Sequence, residues 1–227
     1  MQCATGDSLP ARWHLGWIGG ACVIGFLVSF ISTDLATLPR NWFVLVHLSV
    51  SGAFILAYAR WGGFRPRELL SRWKRGIAMG LVAAAISIAF VLSRPGSTSP
   101  EGLQSVGPVL WLGVVYGAVD ALLLTVVPVD SIVSIARGRG WLARWWGVPA
   151  CGAAALAASV AVTICYHAGF PEFQGRHMLD PVIGNTIFTL SYIATLSPIA
   201  PVFSHSAMHV AAAVHAYQTS IPLPPHY

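Results

Sequence analysis

From Trp13 to Ser32 the chain runs without an Asp, Glu, Lys or Arg, and the same holds for 42–59, 76–92, 148–166, 182–196 and 201–215. A bilayer core about 30 Å thick takes about 20 apolar residues of helix to cross. In lipid, every backbone N–H and C=O must be bonded within its own segment, so such stretches fold as helices. A seventh apolar stretch, 108–135, is longer and carries Asp120 and Asp130. The expected fold is all-α, a polytopic membrane helix bundle of about seven transmembrane helices (six to seven). It forms a single integral membrane domain over 1–227. Charged residues make up 9% of the chain, against about 25% in a typical soluble domain, and this excludes the soluble class.

The formal charge is +5. The basic residues bracket the apolar stretches, so topology accounts for them and no nucleic-acid partner is implied. With the N-terminus inside, the inner side collects ten: Arg12, the six of 60–75, and Arg137, Arg139 and Arg144. The outer side collects three: Arg40, Arg94 and Arg176. The positive-inside bias therefore predicts a bacterial inner (cell) membrane protein with a cytoplasmic N-terminus and, after seven crossings, an outside C-terminus. The expected partners are the lipid bilayer and other membrane subunits. A reporter fused after Arg75 or Arg144 should read cytoplasm, and one within 94–107 should read outside. Reversed signals would end this orientation.

The connecting segments fit that frame. Residues 60–75 alternate charge with Leu69, Leu70 and Trp73 at helical spacing, the pattern of an amphipathic segment on the cytoplasmic surface. Residues 218–227 form an extended Pro-rich tail. Pro128 is placed to kink the long fourth span. The Ala-rich run 153–158 predicts close helix approach in span five, so that Ala154→Leu or Ala157→Leu would overpack it. Ser197 to Pro201 reads as a tight reversal, leaving open whether spans six and seven cross fully or form a re-entrant hairpin. The cysteines at 3, 22, 151 and 165 lack metal or redox spacing.

The last apolar stretch carries the chemistry. His205 and His209 stand four residues apart and share one helix face. Ionisable groups at membrane depth face a bundle interior, a partner or a water-filled cavity. At about 1.5 Å per residue, Asp120 lies roughly 18 Å along its span and His205 and His209 roughly 6–15 Å from the inner end of theirs. The three therefore overlap in depth. His47, His167 and His215 fall toward the outer side, so straight helices divide the histidines into a deep pair and an outer group. Asp120, His205 and His209 are the candidate metal ligands. Zinc takes two His and a carboxylate with one position open to water. Other readings of the same residues stand beside it. Asp120 and the histidines would serve equally as structural glue between helices. They would also serve as a proton relay. His47 with His167 or His215 would form an axial pair for haem.

Three stretches on successive helices fall in a suggestive order: Gly117-Ala-Val-Asp-Ala-Leu-Leu-Leu, Thr163-Ile-Cys-Tyr-His167 and His205-Ser-Ala-Met-His209. Together they resemble, in degraded form, the motifs of the CAAX-protease and bacteriocin-processing (CPBP) intramembrane family: Glu-Glu-x-x-x-Arg, Phe-x-x-x-His and His-x-x-x-Asn. The resemblance covers about 108–215. Asp120 stands at an acidic position without its paired Glu, and Leu123 or Leu124 falls where the Arg is expected. Thr163 replaces Phe, His167 and His205 match, and His209 replaces Asn. What the resemblance implies is hydrolysis within or beside the membrane, with Asp120, His167 and His205 as catalytic residues. The departures imply a non-proteolytic relative. Two expectations follow: a metal-dependent membrane hydrolase relative, or a non-catalytic membrane subunit or binding protein for metal, haem or lipid.

Overall fold

The computed structural model describes residues 9–63, 71–97, 106–218 and Leu223. The central part of the amphipathic segment (64–70) and nearly all of the Pro-rich tail lie outside the described residues. The described residues form a bundle of seven helices, the number the sequence predicts, and contain no strand. They are α1 (Ala11–Leu35), α2 (Arg40–Trp61), α3 (Trp73–Leu92), α4 (Val106–Gly138), α5 (Gly147–Ala168), α6 (Leu179–Thr195) and α7 (Ile199–His215). The first five are long and apolar enough to cross a membrane. Helices α6 and α7 have 17 residues each, or about 25 Å of axis. They meet at a hairpin where Leu196 takes a left-handed conformation (φ 49°) and Pro198 precedes the first turn of α7.

Helix α4 is the centre. Just over half (56%) of its apolar window is buried, about twice the share in α1, α2 and α5. It touches α1, α2, α5, α6 and α7, while α7 packs most extensively on α3. The outer helices show lipid an apolar surface: Leu56, Leu81, Leu110 and Val148 are all well exposed. Such a belt is what a bilayer covers. Trp13, Trp42, Trp61, Trp73 and Trp145, near helix ends, are also exposed, as interfacial anchors are.

Buried polar groups hold the bundle in register. The Thr125 hydroxyl donates to Asn185 Oδ1 at 2.7 Å, and Asn185 Nδ2 donates to Ser159 Oγ at 2.8 Å. Ser159 in turn donates to the Leu124 carbonyl at 2.7 Å, so α4, α5 and α6 share one network. Across α1 and α5, Ser29 Oγ donates to the Tyr166 carbonyl at 2.6 Å. Tyr58 of α2 donates to Asp130 of α4 at 2.6 Å. Satisfied groups of this kind specify which helix faces meet.

One expectation about packing changes. In α5 it is Ala155 that is buried, with 1% of its surface exposed. Ala154 is only partly buried and Ala157 faces outward. Alanines on every side of a helix carry no periodicity to say which face turns inward. Ala155→Leu should therefore cost about 1–3 kcal/mol by overpacking, while Ala157→Leu should leave thermal unfolding in detergent unchanged. Helix α4 widens ahead of its proline. It winds as π-helix over Val109–Tyr116 and again over Leu122–Val126, and regains α geometry at Val127, just before Pro128. Proline has no N–H for the preceding turn, and a π turn is one way a helix accommodates such a break.

Candidate metal centre

Between its two π segments α4 has five α-helical residues, Gly117–Ala121, and Asp120 is among them. π-bulges concentrate at functional sites because they re-aim side chains out of the regular register. The Asp120 carboxylate is 3% exposed and looks at three imidazoles from two other helices. His47 Nε2 of α2 stands 3.3 Å from Oδ1. His205 Nε2 and His209 Nε2 of α7 stand 3.7 and 3.8 Å from Oδ2. The α7 rings stack on one another, centroids 4.9 Å apart and planes within 10°. Phe188 stacks on His205 at 4.6 Å, and Tyr116 meets His209 edge-on at 5.0 Å.

Asp120, His205 and His209 each offer a ligand atom, and these atoms all lie within 4.8 Å of one another. The sequence names the same three. His205 and His209 align because they are one turn apart, and α7 can approach α4 because Gly113 and Gly117 lie beneath it. A Cβ on Gly117 would come within 2.9 Å of Ser206 Cα, and one on Gly113 within 2.9 Å of Val210 Cα. Gly113-Val-Val-Tyr-Gly117 is a small-xxx-small face of the kind that draws membrane helices together.

His47 corrects the expected division into deep and outer histidines. It is fully buried and faces Asp120 directly, although straight-helix depth assigns it to the outer group. Wide π turns spend more residues per ångström of axis, which brings Asp120 nearer the level of His47. The sequence signal for His47 was its face of α2, where Phe43, His47 and Ser51 repeat every four residues and are all buried. His47, one of the axial haem candidates, faces a carboxylate. His215 lies apart, its Nε2 2.9 Å from the Arg94 carbonyl.

Beside the cluster is a cavity of about 300 Å³. Asp120, His205, His209, Tyr116, Tyr166 and His167 form its polar end, and the rest of its lining is mostly apolar. The Tyr116 and Tyr166 hydroxyls are 2.7 Å apart. Ile86, Phe90 and Ile183 line the cavity and are also among the exposed apolar side chains. The cavity therefore opens on the flank of the bundle, between α3 and α6. His167 is on its wall, half-buried, with Nδ1 2.9 Å from the Thr163 carbonyl. A carbonyl only accepts, so Nδ1 carries the proton and Nε2 keeps its lone pair.

In the cluster, His47 Nε2, Asp120 Oδ1, His209 Nδ1 and Nε2, and His205 Nδ1 are buried with no hydrogen-bond partner among the described residues. Buried polar groups are nearly always bonded, so a concentration of exceptions calls for an explanation. An ion would supply one for His209 Nε2, while His47 Nε2 and Asp120 Oδ1 face each other at 3.3 Å. Donor atoms on a zinc tetrahedron with bonds of 2.0–2.1 Å are about 3.3 Å apart, and the two Oδ2 to imidazole distances, 3.7 and 3.8 Å, are within about half an ångström of that. The donor set, two imidazoles and one carboxylate with a cavity at the remaining position, suits zinc. No family model, curated protein or solved structure matches the chain.

Proposed function

We propose that this protein is a membrane metalloprotein that holds zinc at Asp120, His205 and His209 and hydrolyses a substrate lying in the adjoining cavity. The observation that carries the reading is the convergence of three buried imidazoles on a single carboxylate at the end of a chamber, with His209 Nε2 unbonded. When bound, such an ion polarises a carbonyl or phosphoryl oxygen and makes water a nucleophile near neutral pH. His167 is the general base in this reading. It lines the cavity, and the Thr163 carbonyl fixes the tautomer in which Nε2 accepts a proton. Tyr116 and Tyr166 are the donors available to a developing oxyanion. The apolar lining and the opening toward lipid favour a substrate that comes from the bilayer rather than from water. Asp120, His167 and His205, the residues at motif positions of the CPBP family, come from three separate helices and line one cavity, which supports kinship with that family.

The test is metal content after purification in detergent. Wild-type protein should carry stoichiometric zinc, and His205→Gln and His209→Gln should lose it. His167→Ala should keep the metal and lose any hydrolytic activity. A metal-free wild type that remains metal-free when zinc is supplied would overturn the reading.

A further inference from the structure

We infer that His47 is a positioning residue for the metal centre: it engages Asp120 through Oδ1 and so presents Oδ2 to the ion held with His205 and His209. This rests on the metal reading above. The two carboxylate oxygens have different neighbours. His47 Nε2 lies 3.3 Å from Oδ1, and the α7 pair lies 3.7 and 3.8 Å from Oδ2. The set whose ligand atoms all lie within 4.8 Å of one another is Asp120, His205 and His209, and His47 is not in it. His47 is therefore placed beside the carboxylate rather than on the ion.

The ring has no freedom to do otherwise. It is fully buried, stacked on Phe43 at 6.0 Å and tilted against Tyr116 and Tyr166 at 5.2 and 5.4 Å. One turn along α2, Ser51 Oγ lies 3.4 Å from His47 Nδ1 and is itself fully buried. With the Ser51 hydroxyl as donor to Nδ1, the imidazole proton stands on Nε2, toward Asp120. A donor on one oxygen keeps the carboxylate from turning and leaves the other oxygen as a single, aimed ligand. Partners of this kind typically change metal affinity by roughly 10–100-fold when removed.

The experiment titrates zinc and cobalt into the chelator-stripped, full-length protein in detergent, with X-ray absorption to count imidazole ligands. Wild type should bind one ion through two imidazoles. His47→Phe, which keeps a planar ring without a donor, should still bind one ion through two imidazoles, with affinity lowered roughly 10–100-fold. His47→Gln, whose amide retains an N–H, should recover most of that loss, a rescue that a purely space-filling role would not produce. If His47→Phe does not fold, Ser51→Ala takes its place, and a several-fold loss of affinity is expected. Wild-type affinity in whichever of these folds would overturn the inference, as would three imidazoles on the wild-type ion. A wild type that binds no ion fails earlier and differently: it removes the metal reading itself.

Discussion

Asp120→Asn should strip the metal from the protein while leaving the bundle folded. The amide matches the acid in size. If His47 donates to the side chain as inferred, it will hold the amide oxygen, turning the NH₂ group toward His205 and His209. An amide nitrogen donates hydrogen bonds and offers no lone pair to a cation. The ion then loses its only anionic ligand, and affinity should fall by more than the roughly 10–100-fold that an outer-shell partner costs. Stability of the metal-free protein should change by less than about 1 kcal/mol, because no cavity and no clash is created. Metal analysis and thermal unfolding of stripped samples check the two halves separately. If Asp120 is only structural glue, the substitution would be almost silent, since a neutral acid and an amide are close in shape, and there would be no metal content to lose.

Gly117→Ala and Gly113→Ala should each destabilise the bundle by about 1–3 kcal/mol through overpacking, and Gly117→Ala should also weaken metal binding. The added methyl at 117 would meet Ser206 Cα at 2.9 Å and His209 Cδ2 at 3.0 Å. At 113 it would meet Val210 Cγ2 at 2.6 Å and Cα at 2.9 Å. A Cα does not swing aside as a side-chain tip does, so α7 has to retreat as a body and carries His209 away from Asp120. The two losses share one interface and are not expected to add. Gly52→Ala on α2 is the control, since nothing lies within 4 Å of its would-be Cβ. Thermal unfolding of the four proteins in one detergent decides the matter. An unchanged Gly117→Ala would mean that α4 and α7 are not held this closely.

How much of this was legible in the sequence follows from how each feature is encoded. Helix number was readable because charge is costly in lipid, so Arg and Asp punctuate the spans. The Asp120, His205 and His209 set was readable because two histidines one turn apart must share a face. His47 was misplaced because depth was counted along straight helices, and the π turns around Asp120 leave no mark in composition. The inward face of α5 was unreadable since Ala154, Ala155 and Ala157 are chemically identical. Gly113 and Gly117 did carry a signal in their spacing, and only the structure joins it to the α7 backbone beside Ser206 and Val210.

The mouth between α3 and α6 would set the units in which any ligand of this cavity is metered. Ile86, Phe90 and Ile183 open it onto the flank that acyl chains cover. A molecule arriving there diffuses in two dimensions, and its abundance is a mole fraction of the surrounding lipid rather than a molarity. Adding inert lipid or detergent at constant total ligand would then dilute the encounter as surely as adding water dilutes a soluble reaction.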